Sequence, residues 1–211
     1  HIFVRRIDQT DAQPVAGTEN ATAPFWSPDS RSLGFFKEDA LYRTDLDGSA
    51  PRRLCSVPGP VSQLASSNAT WGTKDVIVFV SPGTGLLRVP DTGSTPTLVT
   101  SLDTADKEFW HASPWFLPDG RHVLFLALAA GQTRGVIWAV SIDAPARTRV
   151  TESSGGAAFA SGWLLTTTAA PRTLVAQSFD PDRLVLGGTP HPVRDRLVTA
   201  NSSGWPSVSV S

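Results

Sequence analysis

The densest group of side chains that could carry chemistry lies at residues 103–111, DTADKEFWH. Its reactive and aromatic members are Asp103, Asp106, Glu108, Phe109, Trp110 and His111. Carboxylates and imidazoles bind metal ions and serve as general acids and bases. Glu108 and His111, spaced i and i+3, would share one face of a helix. Because the segment precedes a strand pattern, we predict a loop there, and we expect no metal site.

Two further carboxylates, Asp29 and Asp119, each follow a proline in a short turn, within SPDS and LPDG. Proline fixes φ in such a turn, and the Asp side chain accepts hydrogen bonds from N–H groups two or three residues further on. A carboxylate at a strand turn could instead bind a metal ion. We interpret both residues as turn caps, because the same turn recurs in the sequence.

No other pattern of a catalytic centre is present in the sequence. There is no Gly-x-Ser-x-Gly elbow, no glycine-rich phosphate loop and no Cys/His metal spacing. The single cysteine, Cys55, lies in a predicted outer strand without a nearby histidine, and we interpret it as a buried, inert thiol. The sequence therefore predicts a non-enzymatic chain without a cofactor or a metal.

Charge and hydropathy exclude two classes of partner. The formal net charge is −1, whereas proteins that bind nucleic acid need a basic face to displace counterions. The longest apolar run, residues 123–130, has eight residues, which is too short to span a bilayer. We expect neither nucleic-acid binding nor membrane contact by this segment. The sequence lacks Met, so we expect it to be a piece of a longer polypeptide.

A repeated hairpin indicates the architecture. Its copies are PFWSPDSRSLGFF (24–36), ATWGTKDVIVF (69–79), PWFLPDGRHVLF (114–125) and AAFASGWLL (157–165). The aromatic residues that we align are about 44 to 45 residues apart: Trp26, Trp71, Trp115 and Phe159. A period of this length is typical of propellers and solenoids.

Each hairpin is followed by two more predicted strands, which makes four-stranded antiparallel units. The units are predicted at 18–55, 56–102, 103–151 and 152–193, with 1–17 as the end of an earlier unit and 194–211 as the start of a later one. Strands are predicted at 1–8, 12–17, 113–117, 148–151 and 207–210, and a long connection at 180–190.

These units predict an all-β fold, a β-propeller of four-stranded antiparallel blades forming a partial ring of about four and a half blades. A double-layer sandwich is the alternative, but it has no reason to repeat one hairpin at a fixed spacing. The aromatic residues predicted to fill the space between stacked blades are Trp26, Trp71, Trp115, Trp138, Trp163, Phe35, Phe79 and Phe125. Open strand edges at the ends of the arc predict self-association.

The SPDS and LPDG turns and the LYRTDLDG segment (41–48) resemble TolB-type propeller repeats. More narrowly, VRRID (4–8), GTENA (17–21), PFWSPD (24–29) and FLPDGRH (116–122) resemble the propeller that follows the kinase domain and membrane span of bacterial transmembrane serine/threonine kinases. The turns GTKD (72–75) and ASG (160–162) depart from the repeat. The resemblance implies an extracytoplasmic, non-catalytic sensing module. A gating propeller of a prolyl-oligopeptidase-type peptidase and a TolB-like periplasmic scaffold are the alternatives.

The loops that lead into the first strand of each blade are the predicted binding surface, because they converge near the propeller axis. Their candidate residues are Glu19, Asn20, Asn68, Glu108, Trp110, His111 and Asn201. We expect this face to bind a protein, a peptide or a small polar ligand. The alternative is that these loops are solvated turns whose asparagines favour left-handed geometry.

Overall fold

The computed structural model describes residues 1–59, 69–168 and 173–194, and all regular structure in these ranges is β-strand. A short N-terminal sheet pairs β1 (Phe3–Val4) with β2 (Gln13–Pro14). Sheet I contains β3 (Thr22–Trp26), β4 (Ser32–Lys37), β5 (Ala40–Asp45) and β6 (Arg52–Ser56). Sheet II contains β7 (Ala69–Trp71), β8 (Val76–Ser81), β9 (Gly85–Pro90) and β10 (Thr97–Ser101).

Two more sheets follow with the same topology. Sheet III contains β11 (Glu108–Phe116), β12 (His122–Ala129), β13 (Gly135–Ser141) and β14 (Ala144–Ser153). Sheet IV contains β15 (Ala158–Ala160), β16 (Trp163–Thr167), β17 (Leu174–Asp180) and β18 (Val185–Arg194). Every neighbouring pair within these sheets is antiparallel, and the strands lie in chain order. A search of the described residues for a helix able to cross a membrane finds none.

The sheets stack side by side around their first strands. β3 contacts β7, and β7 contacts β11, so the first strands of sheets I to III are neighbours. This arrangement confirms the predicted all-β fold of four-stranded antiparallel units. It also defines two ends of the molecule. The connector end carries the segments that lead into first strands, such as 102–107, and the turn end carries the hairpin turns between first and second strands.

The hydrophobic core lies between the faces of successive sheets. Phe36, Phe79 and Phe125 are fully buried in one cluster that joins sheets I, II and III. The rings of Phe36 and Phe79 meet edge to face, with centroids 6.2 Å apart. A second cluster joins sheets III and IV, and a smaller one packs the N-terminal sheet on sheet I. Burial between sheets is therefore the main source of stability.

The proline-containing turns are closed as predicted. Asp29 Oδ1 accepts hydrogen bonds from the Ser27 hydroxyl at 2.6 Å and from the Arg31 N–H at 3.1 Å. Asp119 Oδ1 accepts hydrogen bonds from the N–H groups of Arg121 and His122, each at 2.9 Å. The interpretation of Asp29 and Asp119 as turn caps is confirmed.

Several predicted strand limits are wrong. The first strand of sheet III begins at Glu108 instead of residue 113, and its fourth strand covers Ala144–Ser153 instead of 148–151. The predicted long connection at 180–190 is a short turn followed by β18, because Asp180 Oδ1 accepts the N–H groups of Asp182 and Arg183. The strands predicted at 1–8 and 12–17 shrink to two residues each, since only those residues pair. The strand predicted at 207–210 lies outside the described residues.

Two tryptophans do not fill the space between sheets. Trp26 is 48% exposed, and Trp163 is also exposed. Trp26 of β3 pairs with Leu33 of β4, so their side chains lie on the same face of sheet I. The N-terminal sheet covers Leu33 but does not cover β3, and Trp26 is therefore exposed. Trp163 points away from sheet III, since its neighbour Leu164 packs into the core with that sheet. Trp26 therefore lies on the outward face of sheet I and Trp163 on the outward face of sheet IV, at opposite ends of the stack of four sheets.

The alignment of Trp115 with Trp26 and Trp71 is wrong by one residue. The first backbone N–H after the first strand belongs to Ser27 in sheet I, to Gly72 in sheet II and to Leu117 in sheet III. Each of these groups donates a hydrogen bond across its hairpin to a carbonyl at the start of the second strand. Phe116 is therefore the equivalent of Trp71, and its ring lies over Gly72, where a Cβ would come within 2.9 Å of it. Trp115 lies on the opposite face, against the core of sheets III and IV. A shift of one residue reverses the face because side chains alternate along a strand.

The equivalent residues Trp26 and Trp71 make a matched pair for mutation. Trp71 is 7% exposed and packs in the core of sheets I to III. We expect Trp71→Ala to lower the free energy of unfolding by about 3–5 kcal/mol, and Trp26→Ala by less than about 1 kcal/mol. Urea unfolding monitored by circular dichroism measures both. Similar losses in the two variants would contradict the burial of Trp71 between sheets and the exposure of Trp26.

Candidate functional site

The predicted binding residues do not share one environment. Glu19 and Asn20 are exposed at the connector end, ahead of β3. Glu19 lies 4.0 Å from Lys37 Nζ and 3.7 Å from His1 Nδ1. Asn20 has φ of 60°, the left-handed geometry that asparagine tolerates. Asn68 and Asn201 lie outside the described residues.

Glu108, Trp110 and His111 are not in a loop, which corrects their predicted placement. They belong to β11, and Glu108, Trp110 and His111 pair with residues of β12. The register shifts between Glu108 and Trp110, so Phe109 forms a bulge. Glu108 and His111 are buried, and Trp110 is half-buried. A bulge of this kind turns a side chain away from the alternation of the strand.

Glu108 and His111 belong to a buried hydrogen-bonded chain. The Leu86 N–H donates to Thr100 Oγ1 at 3.0 Å, and Thr100 Oγ1 lies 2.8 Å from His111 Nδ1. His111 Nε2 lies 3.0 Å from Glu108 Oε2. Since the Glu108 carboxylate only accepts, Nε2 carries the proton and Nδ1 accepts from the Thr100 hydroxyl. Every polar atom of the imidazole is thereby satisfied.

Arg147 and Asp103 close this chain from the outer strand and the connector. Arg147 Nη1 donates to Glu108 Oε1 at 2.8 Å, and Arg147 Nη2 lies 3.4 Å from Asp103 Oδ2. The Asp103 N–H donates to Glu108 Oε2 at 2.8 Å. The Arg147 guanidinium stacks over Trp138 at 4.2 Å. We call Thr100, Asp103, Glu108, His111 and Arg147 the connector network.

The connector network has the order hydroxyl, imidazole, carboxylate that nucleophilic enzymes use. Its geometry is nevertheless structural. The Thr100 hydroxyl is buried, donates to the imidazole and accepts from a backbone N–H, and it faces β11 instead of a cleft. The network ties the end of sheet II to both edges of sheet III. It holds the 102–107 connector in place.

The bulge at Phe109 leaves this aromatic side chain exposed to solvent. Its side chain is 53% exposed at the start of β11, directly after a connector fixed by the Glu108 N–H to Asp103 O bond at 2.9 Å. The Ala130 N–H also donates to Lys107 O at 3.0 Å. Sequence reasoning noted Phe109 only as part of a polar cluster. The signal that could have found it is an aromatic residue between charged neighbours at a connector.

A second candidate site lies at the turn end, between sheets I and II. It is a cleft of about 370 Å³, which we call the turn cleft. The residues that line it are Ser27, Pro28, Asp29, Ser32, Arg43, Trp71, Gly72, Thr73, Asp75 and Asp91. Sequence reasoning missed this site. The signal was the departure of GTKD (72–75) from the repeated turn. GTKD has Lys74 in the place of Asp29 and Asp119, and its acidic residue, Asp75, comes one position later.

The described residues contain neither a reactive cysteine nor a group of metal ligands. Cys55 is buried in β6, and burial raises the pKa of its thiol to about 11. This agrees with the interpretation of an inert thiol, since the thiolate is the reactive form. Across residues 1–59, 69–168 and 173–194, no group of three or more His, Cys, Asp or Glu side chains is arranged to hold a metal ion.

Comparisons with known proteins identify the fold. No protein-family model matches the chain. An uncharacterised protein of Agrobacterium fabrum is 28% identical over 138 residues, which are 63% of this chain and 44% of that protein. A TolB-type protein of Agrobacterium tumefaciens has a similar structure, with a TM-score of 0.57 and 22% identity over 75% of this chain and 58% of that one.

TolB of Acinetobacter baumannii is similar as well, with a TM-score of 0.59 and 15% identity over 82% of this chain and 43% of that one. The chain has a TolB-like β-propeller fold. It spans less than half the length of the curated relative that it matches. At these identities the solved structures define the fold and no activity.

Burial lowers the pKa of His111 below its ordinary value of 6.5, although the Glu108 carboxylate opposes this shift and Arg147 reinforces it. Below about pH 6.5, His111 is protonated in the unfolded chain but stays neutral in the folded chain. The unfolded chain therefore binds more protons, and the free energy of unfolding falls as pH falls. We expect the free energy of unfolding to decline as pH falls below about 6.5, by up to about 1.4 kcal/mol per pH unit from this residue.

Urea unfolding at several pH values, compared between the wild type and His111→Gln, isolates this contribution from the other histidines. The variant should be less stable near neutral pH, because the connector network is interrupted. It should also lose less stability on acidification. An equal pH dependence in the two proteins would show that His111 does not titrate in this range.

Proposed function

We propose that this chain is a non-catalytic interaction module of a larger protein and that it binds a protein or peptide at its connector end. The observation that carries this proposal is Phe109, an aromatic side chain 53% exposed on a segment that the connector network fixes. Exposed aromatic residues on rigid scaffolds are typical anchors of interfaces. Rigidity lowers the entropic cost of binding.

The chemistry around Phe109 favours binding over catalysis. Glu108 and His111, which lie on the same strand as Phe109, are buried and have their polar atoms paired within the connector network. We therefore assign Glu108 and His111 to the support beneath the surface. Glu19, Asn20 and Trp110 remain proposed members of the surface itself, as do Asn68 and Asn201 from the sequence.

We further propose that the parent protein is a bacterial transmembrane serine/threonine kinase and that this module lies on the extracytoplasmic side. The support is the resemblance of VRRID (4–8), GTENA (17–21) and FLPDGRH (116–122) to the propellers of such kinases. The TolB-like fold is equally compatible with a periplasmic scaffold or a gating propeller of a peptidase. The flanking sequence distinguishes the three: a kinase domain and a membrane span upstream, a signal peptide alone, or a Gly-x-Ser-x-Gly domain downstream.

The binding proposal is tested by panning a phage-displayed peptide library on the purified chain and titrating the enriched peptides. We expect Phe109→Ala to weaken binding by at least about thirtyfold, since an anchor residue contributes about 2 kcal/mol or more. Trp163→Ala is the matched control, because Trp163 is 43% exposed at the start of β16, directly after the β15–β16 turn at the turn end.

Three outcomes are informative. Loss of binding in Phe109→Ala with retention in Trp163→Ala supports the proposed surface. Equal binding by both variants places the interface elsewhere and contradicts the proposal. A library that yields no peptide above background also counts against an interaction module of this kind.

A further inference from the structure

The turn cleft has the size and shape of a site for one side chain or a small ligand. Its volume of about 370 Å³ lies in the range of ligand pockets. It is bounded by the β3–β4 turn of sheet I, the β7–β8 turn of sheet II and the residue that follows β9, Asp91. These elements belong to the turn end, opposite the connector end on which Phe109 lies.

Three carboxylates and one guanidinium line the turn cleft, so its formal charge is negative. The guanidinium of Arg43 is already neutralised. Arg43 Nη2 lies 2.9 Å from Asp45 Oδ1, Arg43 Nη1 donates to Asp91 Oδ2, and the group stacks over Trp71 at 5.2 Å. The cleft therefore already accommodates one organic cation on an aromatic wall and has negative charge in excess.

The lining carboxylates keep acceptor capacity toward the cleft. Asp75 is exposed and makes no hydrogen bond or ion pair through its carboxylate with the described residues, and none of them donates to Asp91 Oδ1. Asp29 accepts its two bonds through Oδ1, which leaves Oδ2. Burial raises the pKa of Asp91, and the Asp75 and Asp45 carboxylates add to this rise against the opposing charges of Arg43 and Arg52.

The shortened turn of sheet II explains why Asp75 is available. In sheet I the hairpin closes through the Ser27 N–H to Ser32 O bond, but in sheet II it closes through the Gly72 N–H to Val76 O bond, one residue sooner. Asp75 takes φ of 58°, and its carbonyl accepts the Asp91 N–H at 2.8 Å. The backbone of Asp75 is thus fixed against Asp91, while its side chain caps no backbone group of the described residues.

We propose that the turn cleft binds an organic cation, a primary ammonium or guanidinium group, with Asp75 as the principal ligand and Asp91 and Asp29 beside it. Ammonium and guanidinium groups donate several hydrogen bonds at once and suit separated carboxylate acceptors. A metal ion fits less well, because the carboxylates of the described residues form no metal-binding group. The cation has two possible sources, a Lys or Arg side chain of a polypeptide or a free polyamine.

Calorimetric titration with three probes distinguishes these sources: spermidine, acetyl-Gly-Lys-Gly-amide and acetyl-Gly-Arg-Gly-amide. We expect the wild type to bind at least one probe with a dissociation constant below about 1 mM. Binding should weaken with added salt, since the attraction is electrostatic. Binding of spermidine without the peptides identifies a small-molecule site, and binding of a peptide identifies a polypeptide partner.

Asp75→Asn tests the ligand role while preserving size, and asparagine tolerates the positive φ of this position. We expect it to weaken binding by about tenfold or more. Asp11→Asn is the matched control, because Asp11 is an exposed aspartate that does not line the cleft. The Trp71 indole N–H signal in nuclear magnetic resonance reports whether the probe enters the cleft of the wild type.

The proposal is overturned if no probe binds below about 1 mM, if Asp75→Asn binds as well as the wild type, or if the Trp71 signal does not move on binding. Displacement of the probe by Ca²⁺ at equal concentration would indicate a metal site instead. The result is independent of the connector end, since Phe109→Ala should leave binding in the turn cleft unchanged. Failure of one proposal is thereby distinguishable from failure of the other.

Discussion

The structure depends on the burial of each sheet face against the next sheet. A four-stranded sheet with two apolar faces cannot be stable alone, because both faces would meet water. Phe36, Phe79 and Phe125 show the solution, since each is fully buried between or beside neighbouring sheets. Close approach is part of the same constraint. A Cβ on Gly34 would come within 2.1 Å of the Phe25 ring, so glycine is needed beneath that aromatic residue.

This constraint explains why the repeat could be predicted from the sequence and why the placement of three tryptophans could not. The periodic hairpin, the Pro-Asp turns and the strand alternation are local properties, and they predicted the all-β fold and the four units. The exposure of Trp26 and Trp163 depends on what covers the outer faces of sheets I and IV, which no local pattern encodes. The misalignment of Trp115 has the same origin, because one residue decides the face and both choices are aromatic.

The connector network was even less predictable. Glu108 and His111 are adjacent enough in sequence to be noticed, but their partners Thr100 and Arg147 come from a different sheet and from an outer strand. A buried carboxylate is costly unless it is paired and hydrogen-bonded. Arg147 and the Asp103 N–H supply that pairing, and burial becomes possible only when β14 is in place. The sequence showed the charged residues, whereas the three-dimensional pairing decided that they are internal.

The two ends of the sheets differ for a topological reason. At the connector end the chain must cross from an outer strand to the next inner strand, and this longer path needs fixing by side chains such as Glu108 and Asp103. At the turn end, tight hairpins fix themselves through backbone bonds and caps such as Asp29. A change in one tight turn therefore costs little elsewhere. The shorter turn of sheet II uses that freedom, since Val76 closes the hairpin and Asp75 is left with a fixed backbone and a carboxylate that no described residue pairs. Glu108 and Asp103 thus hold a connector in place, whereas the Asp75 side chain holds no part of its turn in the described residues.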